Sequence, residues 1–152
     1  MHTMRKTDTI LVAEDDANDA FFLKRAFQKA GVPTQLRFVS DGQQAIDYIS
    51  GRGEFSDRLA YPDPDLLLLD IKMPRVSGFQ VLHWVRQQHL LKRIPVIIFS
   101  SSGEDKDINE AYDLGANSYL IKPHCTEQLR VVARKLQNYW FETNKTPVAF
   151  AG

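Results

Sequence analysis

Four consecutive leucines, Leu66 to Leu69, run without interruption into Asp70. A strand with one face in water alternates apolar and polar residues, so an unbroken run of this kind fits a strand covered on both faces. Ile10-Leu11-Val12-Ala13, stopped by Glu14-Asp15-Asp16, and Val96-Ile97-Ile98-Phe99, stopped by Ser100-Ser101-Ser102, share the same design. Strands buried on both sides belong to parallel sheets, whose strands must be joined by crossover segments.

The segments between these runs supply the crossovers. Phe22, Leu23, Ala26, Phe27 and Ala30 recur at helical spacing between Ala17 and Ala30, and Gly31 ends that helix. Leu36 to Val39 predicts a second strand, and Gln43 to Ser50 a helix with Ala45, Ile46 and Ile49 on one face. Residues 51–65, rich in glycine, proline and charge, form a long loop. Ser77-Gly78 opens a helix that turns Phe79, Leu82, Val85 and Trp84 to the core. A further helix spans about Glu104 to Leu114, closed by Gly115. Tyr119-Leu120-Ile121 is the last strand, ending at Lys122-Pro123, and Thr126 caps a final helix that continues to about Phe141. Five strands alternating with five helices predict an α/β, doubly wound parallel sheet with helices on both sides. The expected domain covers residues 9–141, between an N-terminal tail, 1–8, and a C-terminal tail, 142–152.

Composition narrows the function classes. At 152 residues the chain suits one compact domain, and 19 basic against 19 acidic residues leave no overall field for nucleic acid or an anionic membrane. A single cysteine, Cys125, can form neither an internal disulfide nor a cysteine-rich metal site. The opening residues, Met1 to Thr9, lack the apolar core of a signal peptide, and no segment approaches the roughly twenty apolar residues of a membrane span. A cytoplasmic location is expected. His2, His83 and His89 have no convergent spacing, and no chemistry is assigned to them or to Cys125.

In an open parallel sheet, ligands bind beyond the C-terminal ends of the strands. The predicted strand ends bring Glu14, Asp15, Asp70, Ser100 and Lys122 to one rim. Three carboxylates placed together repel and need a cation between them. Mg²⁺ suits them, being held by one or two carboxylates together with phosphate oxygens. An aspartate can also act as nucleophile in phosphoryl transfer, where positioning and charge stabilisation do most of the catalysis. Asp16 is assigned a plainer role at the positive end of the adjoining helix.

At these residues the chain resembles the response-regulator receiver domains. The matching motifs are Val12-Ala13-Glu14-Asp15-Asp16, Leu69-Asp70-Ile71-Lys72-Met73-Pro74 with Gly78, Phe99-Ser100-Ser101, and Tyr119-Leu120-Ile121-Lys122-Pro123. The resemblance implies the flavodoxin-like strand order 2-1-3-4-5 and an Mg²⁺-dependent phosphorylation of Asp70. It also implies metal ligation by Asp15, Asp70 and the backbone carbonyl of Lys72, with Glu14 acting largely through water. Lys122 would pair with the phosphoryl group, Ser100 and Tyr119 would reorient as switch residues, and the Lys122–Pro123 bond would be cis. Such a protein is a phosphoacceptor that signals through altered protein contacts rather than an enzyme with turnover. Its partners would be a sensor histidine kinase and a downstream protein not identified by sequence. The side chain of Lys72, beside the acidic pocket, is expected to tune phosphoryl lifetime.

The segments Gly53-Glu54-Phe55, Leu91 to Val96, Ala111-Tyr112-Asp113-Leu114 and Tyr139-Trp140-Phe141 are similar to small response regulators that serve bacterial and cyanobacterial phytochromes. That narrower resemblance implies a phytochrome kinase as phosphodonor and a homodimer. Contacts are expected along Glu104–Gly115 and Thr126–Phe141, with Phe150 adding to the aromatic group near the end. A flavin-binding electron carrier would share the strand order, but Glu14-Asp15-Asp16 would repel its phosphate. An aspartate-nucleophile phosphatase would commonly carry an acid where Lys72 stands. No basic patch, and no room after Phe141 for a helix-turn-helix module, supports DNA binding.

Overall fold

The computed structural model describes residues 7–147. Its elements run β1 (Thr9–Ala13), α1 (Ala17–Ala30), β2 (Gln35–Val39), α2 (Gly42–Ser50), β3 (Leu66–Leu69), α3 (Gly78–Gln87), β4 (Val96–Ser100), α4 (Asp105–Asp113), β5 (Ser118–Ile121) and α5 (Thr126–Leu136). The strands form one parallel sheet in the order β2-β1-β3-β4-β5, as expected.

Each buried strand serves two cores. Ile10, Val12, Leu66, Leu68, Ile97 and Phe99 join Leu23, Phe27, Leu129 and Ala133 on the side covered by α1 and α5. Their sequence neighbours Leu11, Ala13, Leu67, Leu69, Val96 and Ile98 point the other way, against residues of α2 and α3 such as Ile46, Val81 and Val85. Side chains alternate along a strand, so the leucine run divides evenly between two hydrophobic layers. Burying each leucine contributes about 1.5–3 kcal/mol.

Helix ends obey local chemistry. Asp16 caps α1 by accepting from Asn18 N at 2.8 Å and Asp19 N at 3.1 Å, and Gly31 ends it at φ 68°. Ser77 and Gln80 form a capping box at α3. Thr126, expected as a cap, is instead the first residue of α5, and Cys125 holds the cap position without a side-chain bond. Phe22, placed in the core by its spacing, is 44% exposed, because it sits at the edge of the stripe formed by Leu23, Ala26, Phe27 and Ala30.

The loop after α2 folds back beneath that helix, at the end of the sheet opposite Asp70. Phe55 is buried there in a short 3₁₀ turn, Gly53–Phe55, and its ring lies 5.1 Å from Tyr48 and 5.2 Å from Tyr61. Arg58 donates to the carbonyls of Tyr48, Ile49 and Phe55 and pairs with Asp63 at 2.7 Å, which closes the C-terminal end of α2. At the far end of the chain, α5 widens into a π-helix, Gln137–Thr143. Trp140 and Phe141 pack on the α1–α5 core, whereas Tyr139 remains exposed, so the aromatic group near the end divides between two roles. Phe150 lies outside the described residues. Among the described residues no helix is long and apolar enough to cross a membrane.

Candidate functional site

The strand register sets the acids side by side. Glu14 succeeds β1 and its N–H donates to Val39 O at 3.0 Å, while Asp70 succeeds β3 and its N–H donates to Ala13 O at 3.1 Å. Hydrogen bonding therefore continues one residue past both strands and aligns the two carboxylates at one edge. Beyond Asp70 the chain turns back sharply, with Gly78 N donating to Ile71 O at 2.9 Å. A Cβ at Gly78 would lie 2.0 Å from the Asp70 carbonyl oxygen, so only glycine permits this close approach.

Glu14, Asp15 and Asp70 each offer one carboxylate oxygen, and these oxygens all lie within 4.8 Å of one another. Glu14 is buried, Asp15 exposed and Asp70 intermediate. From the other side comes Lys122, whose side chain is only 11% exposed. Its Nζ lies 2.5 Å from Glu14 Oε1, 2.9 Å from Asp19 Oδ2 and 2.9 Å from Asp70 Oδ2. Burial would push the Lys122 ammonium down, but hydrogen bonds to Glu14, Asp19 and Asp70 outweigh it and hold the group above the usual lysine range. Burial pushes the Glu14 carboxyl up to about 7; the Lys122 hydrogen bond opposes that shift, and the Asp70 charge reinforces it. One lysine thus serves three of the four carboxylates gathered here, and the remaining negative charge suits a hard divalent cation.

Ser100 and Tyr119 meet at a third point. Ser100, buried at the end of β4, accepts from Ser102 N at 3.1 Å, and the Tyr119 hydroxyl donates to Ser102 O at 2.8 Å. Ser102 Oγ donates in turn to Asp107 in α4 at 2.6 Å. The Lys72 side chain is exposed and lines the same open depression, of about 610 Å³, as Glu14, Asp70, Ser100 and Lys122. The expected cis bond at Lys122–Pro123 is not found, since no cis peptide occurs among the described residues. That bond takes the trans form, which is the lower in energy at an Xaa–Pro bond.

Three features of the site region are not expected from the sequence. Asp19 belongs to no motif, although it stands four residues after Asp15, one helical turn along α1. Ser102 reads as part of a polar strand end, and nothing in its neighbours marks it as a junction. Asp41 is buried at the start of α2 and pairs with Arg75, which has the only positive φ, 64°, of a non-glycine described residue. Their 34-residue separation hides that pairing.

Residues 10–134 match the family model of the response regulator receiver domain. Among curated proteins the chain is 33% identical over 138 residues to the probable methanogenesis regulatory protein FilR2 of Methanothrix harundinacea, covering 91% of this chain and 86% of FilR2. It is 30% identical over 140 residues to the response regulator Rcp1 of a Synechocystis species, covering 92% and 93%. Among solved structures it is similar to RPA3017, a response regulator in red light signalling of R. palustris, with TM-score 0.89, 41% identity and coverage of 93% and 99%. The phosphorylated cyanobacterial phytochrome response regulator RcpA superposes with TM-score 0.85, 31% identity and coverage of 94% and 100%. A Mn²⁺-bound form of Rcp1 gives TM-score 0.81 at 29% identity, covering 93% and 99%.

Proposed function

This chain belongs to the response regulator receiver domain family, and on that premise we propose that Asp70 accepts a phosphoryl group from a phosphohistidine, with Mg²⁺ bound by Asp15, Asp70, Glu14 and the Lys72 carbonyl. The observation that carries the reading is the convergence of Glu14, Asp15 and Asp70 oxygens within 4.8 Å, with Lys122 Nζ 2.9 Å from Asp70. The donor set consists of carboxylate oxygens, the type that hard divalent cations take. Bound there, the cation would neutralise the charge gathering on phosphoryl oxygens.

The chain's own residues do the rest. An oxygen of Asp70 forms the new P–O bond as the P–N bond to the donor imidazole breaks, so no water enters the transfer. Lys122 moves from the Asp70 carboxylate to a phosphoryl oxygen, which restores the charge pairing that formation of the acyl phosphate removes. Ser100 keeps its hydroxyl proton free while it accepts from Ser102 N, and donates that proton to another phosphoryl oxygen. Tyr119, bound to Ser102 O, moves with the same loop.

The likeness to RcpA, a phytochrome response regulator, and to RPA3017, which acts in red light signalling, supports a phytochrome-type sensor histidine kinase as donor. With no turnover of its own, the protein signals by changing what its surface binds. Half-exposed apolar side chains on β5, α5 and the π-helix, namely Ile121, Val131 and Tyr139, favour a homodimer on that side together with an unidentified downstream partner. The test is incubation with Mg²⁺ and a phosphodonor, either phosphoramidate or a phytochrome kinase with ATP. Intact mass and peptide mapping should show one phosphoryl group on Asp70, absent in Asp70→Asn. Labelling at another residue, or sustained hydrolysis without labelling, refutes the reading.

A further inference from the structure

Lys122 has three ammonium hydrogens, and three carboxylates take them: Glu14, Asp19 and Asp70. Two of these acids have other duties. Glu14 and Asp70 belong to the trio of acids that converges for a cation, whereas Asp19 stands outside it. Asp70 also loses its carboxylate charge when it is phosphorylated to an acyl phosphate. Asp19 alone keeps a full charge available to the ammonium before and after transfer.

Its position suits that task. Asp19 lies in the first turn of α1, whose N-terminal dipole favours an anion, and its side chain is 44% exposed. It pulls the ammonium outward, against the inward pull of Glu14. Lysine ends on a flexible four-carbon stem, so without that outer anchor the ammonium would settle between Glu14 and Asp70. There it would hold the attacking oxygen of Asp70.

Resting on the phosphoacceptor reading of Asp70, we propose that Asp19 is a positioning residue that holds the Lys122 ammonium at the rim of the pocket, poised for the incoming phosphoryl group. Asp19 acts through Lys122 and touches neither phosphoryl group nor cation. It thereby links the start of α1 to the loop after β5, two segments 103 residues apart.

The experiment is a double-mutant cycle on the full chain with phosphoramidate and Mg²⁺, read out by intact mass. Wild type, Asp19→Asn, Lys122→Ala and the double variant are compared for saturating labelling rate and for half-saturating Mg²⁺. Asp19→Asn should lower the saturating rate about fivefold, the scale expected of a partly exposed ion pair. Half-saturating Mg²⁺ should change by less than about twofold, and in the Lys122→Ala background Asp19→Asn should have no further effect. Asparagine keeps the shape of a half-exposed side chain, and thermal unfolding verifies that each variant folds. An unchanged rate in Asp19→Asn, or the same loss with and without Lys122, overturns the inference while leaving Asp70 labelling intact. Absence of wild-type labelling on Asp70 overturns the reading beneath it instead.

Discussion

Arg75 reaches the buried Asp41 with Nη2 2.8 Å from Oδ2, joining the loop after β3 to the first turn of α2. A Cβ added at Gly42 would meet Val76 O at 2.0 Å, so loop and helix are already in close contact. Asp41 has a second bond, from Gln44 N at 2.7 Å, which makes it the cap of α2. Asp41→Ala should therefore cost about 1–2 kcal/mol through the lost cap. Arg75→Ala should cost under about 1 kcal/mol, since the Arg75 side chain is largely exposed and alanine keeps the same positive-φ backbone. Urea denaturation of both variants measures the difference, and equal losses would contradict the assignment.

Glu14 gives stability a specific pH dependence. Its carboxyl rises from 4.5 to about 7 on folding, so between those values the folded state binds more protons than the unfolded state. By linkage its contribution to stability is greatest below about pH 4.5, is lost progressively as pH rises, and is gone above about 7. Glu14→Gln, which cannot ionise, should become more stable relative to wild type across that interval. Saturating Mg²⁺ should narrow the gap, because cation binding favours the ionised carboxylate. Paired thermal melts at several pH values, with and without Mg²⁺, check the sign.

Gly78→Ala tests the turn behind Asp70. The added methyl cannot coexist with the Asp70 carbonyl oxygen, so backbone must move at the phosphoacceptor itself. We expect a loss of about 2–4 kcal/mol and at least a tenfold slower labelling of Asp70. A variant with wild-type stability and rate would show that the turn relaxes freely.

An acyl-phosphate mimic reads out the switch. Beryllofluoride with Mg²⁺ should shift backbone NMR signals in Glu104–Gly115 and Thr126–Phe141 of the wild type. Asp70→Asn should show no such shifts, and Ser100→Ala should retain binding but lose the changes in α4. Changes confined to the immediate neighbours of Asp70 in the wild type would argue against transmission through the loop after β4.

Lys72 is exposed beside the pocket, and its amine can approach a phosphoryl oxygen only once one is present. Lys72→Ala should change the half-life of the purified phosphoprotein about threefold or more, with fold stability within about 0.5 kcal/mol of wild type. An unaltered half-life removes this residue from the mechanism.

Much of the fold is legible in the chain because buried parallel strands state their own boundaries. Leu66 to Leu69 ends where Asp70 begins, and the same abrupt change marks Ala13 to Glu14, whereas β4 runs one residue past Phe99 to include Ser100. Residues placed by strand ends are thus found together: Glu14, Asp15, Asp70, Ser100 and Lys122 share one depression. Residues placed by helix rotation are harder to read. Asp19 depends on the angle at which α1 leaves its cap, and Phe22 misses the core by one step around the same helix. The π-helical widening after Leu136 leaves no mark in side-chain periodicity, since the apolar residues there continue at nearly helical spacing.

Ser102 holds three neighbours at once: its amide reaches Ser100, its carbonyl receives Tyr119, and its hydroxyl grips Asp107. The three bonds leave from the amide, the carbonyl and the hydroxyl of the same residue. A displacement of the Ser100 hydroxyl would be felt at the start of a helix and at the edge strand through this one residue. A junction of that kind puts the end of one strand, its edge neighbour and the helix between them within one residue's reach.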